Sequence, residues 1–146
     1  MRVTNLKFDQ GATWYKEFTD TNDDGSPFDL TGYSVRGQMR KSYGSTVVVV
    51  EFTGGVISGV NGVYFIRYAA VDSALVPPMS YVFDTECYKM EGSEEIVRRP
   101  YGGKILVLPE VTRGVGLPPV VNPEGDYTYD DGTTVTYDDG SSIIGG

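Results

Sequence analysis

Asp84 and Glu86 have the spacing of two carboxylates that could do chemistry together. They are two positions apart in a segment whose apolar and polar residues alternate, so both fall on the polar face of one strand. Such a pair can hold a cation or exchange protons, but the chain has no histidine and a single cysteine. The favoured interpretation is a set of cross-strand ion pairs with Arg36 and Arg40, each worth about 0.2–1 kcal/mol.

A second group of oxygen ligands lies in residues 20–25, where Asp20, Asn22 and Asp24 match the opening of a helix–loop–helix calcium loop. The twelfth position of that motif, a bidentate glutamate, is Thr31 here, and both flanks have the pattern of strands. A tight turn is therefore the favoured interpretation, because Asn and Asp bond their own backbone and Gly25 supplies a positive φ. Calcium is the alternative.

A third group belongs to a repeat of eight residues near the C-terminus. Residues 128–135 begin Thr-Tyr-Asp-Asp-Gly, and residues 136–143 begin the same way. Each Asp-Asp-Gly is a turn signal and each Thr/Tyr/Val flank is a strand signal, so the repeat predicts two small hairpin units or one meander. The alternative is a calcium ion shared by Asp130, Asp131, Asp138 and Asp139. No other cofactor is predicted.

Charge and composition exclude several classes of function. Residues 114–146 contain six acids and no Lys or Arg, a charge of −6, whereas residues 1–113 contain 14 acids and 12 bases, a charge of −2. This acidic balance disfavours nucleic acid and anionic membranes as partners. No apolar run approaches the ~18 residues of a membrane helix, and the N-terminus has no signal-peptide pattern. No nucleophile is paired with a base, so we expect a protein that is not an enzyme.

The elements that position these groups are short strands joined by turns. Residues 33–41 and 79–90 alternate as half-buried strands, and residues 47–52 form an almost continuous apolar run. That run predicts a strand buried on both faces or covered on one face by a neighbouring subunit. Turn clusters are predicted at residues 53–55 and 58–62, and at most one or two helical turns at 69–75. The pattern predicts an all-β fold, an antiparallel β-sandwich.

The segment from residue 24 to residue 40 has a sequence pattern that is similar to that of a known protein family. An Asp-Gly turn is followed by Pro-Phe-Asp-Leu-Thr-Gly-Tyr and then by an alternating strand that contains Gln-Met-Arg. This resembles the small immunoglobulin-like β-domain of tailed-bacteriophage structural proteins, especially at the N-terminus of baseplate and fibre-attachment proteins. The resemblance covers about residues 5–112. It implies an immunoglobulin-like sandwich and a virion component of the tail, neck, baseplate or fibre attachment, synthesised in the host cytoplasm.

Residues 114–146 differ in character from residues 1–113, which we predict to be the sandwich. Residues 114–123 are rich in Pro and Gly and predict an extended arm. We expect the arm to bind copies of this chain and other virion proteins in a symmetric assembly. Its apolar and aromatic residues are the predicted partner-binding set: Leu117, Pro118, Pro119, Tyr129, Val135, Tyr137 and Ile143. The alternative function is a module that binds host glycans through tyrosine-rich loops, since the chain has 11 tyrosines.

Overall fold

The computed structural model describes residues 1–112 and two short strands beyond them. The prediction of an all-β fold is confirmed. The strands are β1 (Arg2–Asp9), β2 (Trp14–Thr19), β3 (Ser34–Arg40), β4 (Val50–Ser58), β5 (Val63–Tyr68), β6 (Ser80–Glu91), β7 (Glu94–Arg98), β8 (Tyr101–Leu108), β9 (Val120–Val121) and β10 (Tyr127–Thr128), and a single-turn helix, α1 (Ala70–Ser73), precedes β6. The helix agrees with the prediction for residues 69–75.

Eight of these strands form one sheet in the order β1-β8-β6-β3-β4-β5-β2, with β7 also paired to β6. Within the described residues, β1 and β8 are the parallel pair and the other pairs are antiparallel. The immunoglobulin-like strand arrangement stays a prediction. The arm, apart from β9 paired with β10, lies outside the described residues.

The sheet curls until β2, its terminal strand on one side, is in side-chain contact with β1 and β8 on the other side, which gives it a nearly closed shape. At one end the ring of Phe8 on β1 stacks on Trp14 of β2 with centroids 5.0 Å apart. The Trp14 indole also donates to the Asp9 carbonyl oxygen at 2.7 Å. At the other end the Tyr101 hydroxyl donates to the Thr19 carbonyl oxygen at 3.0 Å. The core fills the space that this curl encloses.

The alternating segments place their apolar residues in the core as predicted. On β3 the core-facing residues are Val35 and Met39. On β6 every second side chain from Tyr81 to Cys87 is 2% exposed or less. On β2, Trp14 and Phe18 are also buried in the core.

Two predictions around β4 are wrong. The apolar run does not form a strand from residue 47, because β4 begins at Val50 and the side chains of Val47 and Val48 are 67% and 37% exposed. Arg40 donates to the Ser45 carbonyl oxygen at 2.8 Å, which contributes to holding residues 41–49 as a loop beside the sheet.

The predicted turn at residues 53–55 lies inside β4, where the strand passes from pairing with β3 to pairing with β5. A Cβ at Gly54 would be 2.7 Å from the Phe65 carbonyl oxygen and 2.7 Å from Val35 Cγ1. This glycine therefore permits close packing at a bend in a strand and does not mark a turn.

Candidate functional site

A cluster of charged side chains covers the solvent face of the sheet where β3, β6 and β7 meet. Strand β3 pairs antiparallel with one side of β6, and β7 pairs with the other side. Arg98 is opposite Cys87 and Gly102 is opposite Asp84, so three residues, 99–101, face two residues of β6, 85–86. This bulge brings an additional arginine over β6. We call the following set the outer-face cluster: Arg36, Asp84, Glu86, Glu95 and Arg99.

Glu86 is at the centre of the outer-face cluster. Arg36 Nε donates to Glu86 Oε1 at 2.8 Å, and Arg99 Nη2 donates to Glu86 Oε2. Arg36 also reaches Glu95 at 3.4 Å, and its guanidinium lies 4.1 Å from the centroid of the Tyr88 ring. The half-buried Glu86 therefore links β6 to β3 and to the segment between β7 and β8, and Arg36 extends the cluster to Glu95 on β7.

The predicted ion pairs are partly confirmed. Arg36 is opposite Glu86 in the strand register, as expected, but Asp84 is opposite Gln38 and pairs with Arg99 at 3.1 Å. The prediction of Arg40 as a partner is wrong, because Arg40 is opposite Val82 and donates to Gln38 Oε1 at 2.8 Å. Arg99 was missed because its position depends on the bulge, which strand alternation does not reveal.

Burial and charge act differently on the two carboxylates. Burial raises the pKa of Asp84, although the charge of Arg99 opposes the shift. Burial also acts to raise the pKa of Glu86, but hydrogen bonds from Arg36 and Arg99 outweigh it and lower that pKa. The bond to Glu86 raises the pKa of both arginines. With both oxygens of Glu86 held by guanidinium groups, the arrangement suits a structural connection between strands better than proton transfer.

A cleft of about 300 Å³ adjoins the outer-face cluster. Its wall includes Tyr43, whose side chain is 73% exposed on the loop between β3 and β4. The same loop carries the exposed Val47 and Val48. We call Tyr43, Val47 and Val48 the loop patch. The cleft is lined by Arg36, Gly37, Gln38, Arg40, Ser42, Tyr43, Val82, Phe83, Asp84 and Glu86.

The predicted calcium loop has a different arrangement from the one that the motif requires. Asp20 is 2% exposed and accepts from Arg98 Nε at 2.8 Å and from Arg98 Nη2 at 3.0 Å. The Phe28 ring centroid lies 3.6 Å from the carbon of that guanidinium. The sequence gives no signal for this pair, because its members are 78 positions apart.

The remaining ligands of that loop bond locally. The Asn22 amide donates to Ser26 Oγ at 3.0 Å, and Asp24 accepts from the Ser26 amide at 2.9 Å. These bonds are those expected of a turn. In the part of the chain that the structure describes, no group of three or more carboxylates, cysteines or histidines could hold a metal ion. Calcium binding by this loop stays a prediction.

The arm residues predicted to bind partners or calcium lie outside the described residues, so their arrangement stays a prediction. They are Leu117, Pro118, Pro119, Tyr129, Val135, Tyr137 and Ile143 for partners, and Asp130, Asp131, Asp138 and Asp139 for calcium.

Comparisons with known proteins give a structural likeness. No family model matches the sequence, and a search of curated proteins finds no match. Among helices of the described residues, none is long and apolar enough to cross a membrane. The fold is similar to the solved N-terminal domain of phage TP901-1 ORF48, with a TM-score of 0.50 and 17% sequence identity. The match covers 71% of this chain and 84% of that domain, and at this identity it is a likeness of fold.

Proposed function

We propose that this chain is a non-enzymatic structural protein of a tailed-phage virion that joins subunits in the tail, neck, baseplate or fibre attachment. The observation that carries the proposal is the fold shared with 84% of a phage TP901-1 domain. The sequence resemblance of residues 24–40 to tailed-phage structural domains supports the same class of protein. The chain would be synthesised in the host cytoplasm and act in the virion, in contact with copies of itself and with other virion proteins.

The loop patch is the surface that we propose for contact with a neighbouring virion protein. Tyr43 and Val47 are 73% and 67% exposed, and Val48, which follows Val47, is 37% exposed. Burying such side chains against a partner is favourable by about 25 cal/mol per Å² of apolar area, whereas leaving them in water gives no such gain. The hydrogen bond from Arg40 to the Ser45 carbonyl oxygen contributes to holding the loop that carries the patch beside the sheet.

Purified particles of the phage that encodes the chain test this function directly. Mass spectrometry should find the chain in the particles, and antibodies against residues 1–112 should label one substructure by electron microscopy. Particles that lack the chain would contradict the proposal.

A substitution in the phage genome tests the loop patch. Val47→Ser should lower the amount of the chain incorporated in particles, because it makes the proposed contact polar. Val60→Ser is the matched control, since Val60 is 68% exposed in a turn away from the patch. Equal incorporation of the two variants would exclude Val47 from the contact.

Binding of a host glycan is the second candidate, and the cleft supports it. An exposed Tyr43 ring beside guanidinium, amide and carboxylate groups has the chemistry of a sugar site. The purified chain should then retain a glycan on an array, and Tyr43→Ala should abolish retention. Tyr15→Ala serves as the control, because Tyr15 is 47% exposed on β2. A purified chain that retains no glycan would leave the structural role as the sole proposal.

A further inference from the structure

Strand β1 presents an open hydrogen-bonding edge. It ends the sheet, and β8 is its paired neighbour among the described residues. The amides of Arg2 and Gln10 donate to the carbonyl oxygens of Pro100 and Leu108, at the two ends of β8. The backbone N–H and C=O groups of the even-numbered residues of β1 therefore point towards β8. Alternate residues of a strand direct their backbone groups to opposite sides. Val3, Asn5 and Lys7 therefore direct three N–H and three C=O groups to the open side.

The other end of the sheet is protected against strand addition, and β1 is not. Between the buried Trp14 and Phe18 of β2 stands the exposed Lys16, a charge in the core-facing row of an edge strand. Charges in that position discourage another strand from pairing. The core-facing residues of β1 include Leu6 and Phe8, which are uncharged and only half-buried. An added strand would cover them further.

The charges around β1 complement a segment of the arm. Arg2 begins the strand, Lys7 lies two residues before Asp9 at its end, and Lys104 is opposite Asn5 on β8, so three cations surround one acid. Residues 133–137 read Thr-Thr-Val-Thr-Tyr, an uncharged segment of high strand propensity. An Asp-Asp pair stands on each side, the two pairs being eight residues apart. At about 3.3 Å per residue this spacing is about 26 Å, the length of an eight-residue strand such as β1.

The chain leaves the folded part beside the end of β1. Leu108, the last residue of β8, is opposite Asp9, and the Glu110 amide donates to Gln10 Oε1 at 3.3 Å. Residues 113–132 lie between residues 1–112 and the candidate segment, and they include the paired strands β9 and β10. Val120 is opposite Thr128 in that pair, so the reach comes from the eleven residues outside it, 113–119 and 129–132. Eleven residues can span up to about 36–40 Å when extended, which is enough to reach a neighbouring copy.

We propose that residues 133–137 of one copy add as a strand to the open edge of β1 in a second copy. The inference rests on the proposed function, because an exchange of arms would supply the contacts between copies that a virion subunit needs. Backbone hydrogen bonds to Val3, Asn5 and Lys7 give the affinity, and the flanking aspartates pair with the cations of β1.

Two substitutions at one position test the receiving edge. Asn5→Pro removes the outward N–H of residue 5 and leaves the bonds to β8 in place, whereas Asn5→Ala removes the side chain and keeps that N–H. Sedimentation of the full chain should show self-association that Asn5→Pro weakens by about tenfold or more and that Asn5→Ala leaves within about twofold. Equal association of the two variants would overturn the proposal.

The donating segment provides an independent test outside the folded core. Val135→Pro should weaken self-association to a similar extent, and Val115→Pro, elsewhere in the arm, should not. Slowed hydrogen exchange at the amides of Val3, Asn5 and Lys7 should disappear with Val135→Pro. A full chain that stays monomeric, or one in which Val135→Pro changes neither mass nor exchange, would overturn the proposal.

The two proposals fail in different ways. If the chain is found in particles but the purified protein is monomeric with rapid exchange along β1, the exchange of arms is wrong and the virion role stands. If the chain is absent from particles, the virion role is wrong whatever the solution mass.

Discussion

The inward and outward faces of β6 are built from the same strand but are held by different forces. Inward, the side chains from Tyr81 to Cys87 are buried, and both of their hydroxyls are hydrogen-bonded. Thr85 Oγ1 bonds with Tyr64 Oη at 2.8 Å, and Tyr81 Oη donates to the Pro77 carbonyl oxygen. Outward, Glu86 is bound by Arg36 of β3, and both Asp84 and Glu86 are bound by Arg99 from the segment between β7 and β8. The stability of the inward face comes from excluding water, whereas the contacts of the outward face depend on which residues the neighbouring segments place beside it. Substitutions should therefore cost most on the inward side.

The largest effect is expected from Phe83→Ala. Phe83 is 2% exposed, so the substitution leaves a cavity and should lower the free energy of unfolding by about 3–5 kcal/mol. Val82→Ala, one position away on the outward face, should cost less than about 1 kcal/mol. Urea denaturation of the two variants measures the difference. Similar losses would show that the two faces of β6 do not differ in the way described.

A second comparison separates two adjacent arginines. Arg98 reaches the buried Asp20, whereas Arg99 binds Asp84 and Glu86 on the outward face and is 50% exposed. Arg98→Ala leaves a buried carboxylate without its partner and should cost about 3 kcal/mol or more. Arg99→Ala should cost at most about 1 kcal/mol. Thermal and urea unfolding of both variants test the order, and a larger loss for Arg99→Ala would contradict it.

The same contrast explains what the sequence could predict. Alternation depends on the backbone of one strand, so it predicted the inward positions of Val35, Met39 and Phe83 correctly. The partners of outward residues depend on register and on bulges between strands. Arg40 was therefore assigned a wrong partner, and Arg99 was missed.

The loop between β3 and β4 shows a second limit of prediction from sequence patterns. Val47 and Val48 have the composition of a buried strand, but Arg40 anchors the loop at Ser45 and both valines remain exposed. A run of β-branched residues fits a strand core and an exposed contact equally well.

The pairing of Asp20 with Arg98 could not be predicted either, because nothing in the local sequence of either residue indicates the other.

A smaller effect with a defined pH dependence is expected from Glu86→Gln. The pKa of Glu86 is lowered in the folded state, so its stabilising contribution is complete above its unfolded pKa of about 4.3 and is lost as the pH falls through the folded pKa. The variant should be less stable by roughly 1–2 kcal/mol at neutral pH, and the difference should shrink as the pH falls below about 4.3 and through the folded pKa. Urea denaturation across this range measures both values. A difference that does not change with pH would exclude ionised Glu86 as its source.

Asp84→Asn should have the smallest effect and the opposite dependence on pH. Burial raises the pKa of Asp84 in the folded state, so its ionisation opposes folding, and the penalty appears as the pH rises through the unfolded and then the folded pKa. The side chain is 41% exposed, and screening by water therefore limits the gain of the variant to below about 0.5 kcal/mol at neutral pH. That gain should vanish on acidification. Denaturation of both single variants at matched pH values gives their free energies of unfolding relative to the parent. As the pH rises, this difference should fall for Glu86→Gln and rise for Asp84→Asn, although both carboxylates are on one face of one strand. Slopes of the same sign would mean that burial of Asp84 does not outweigh its pairing with Arg99, and that the outward face of β6 is held together by ion pairs throughout.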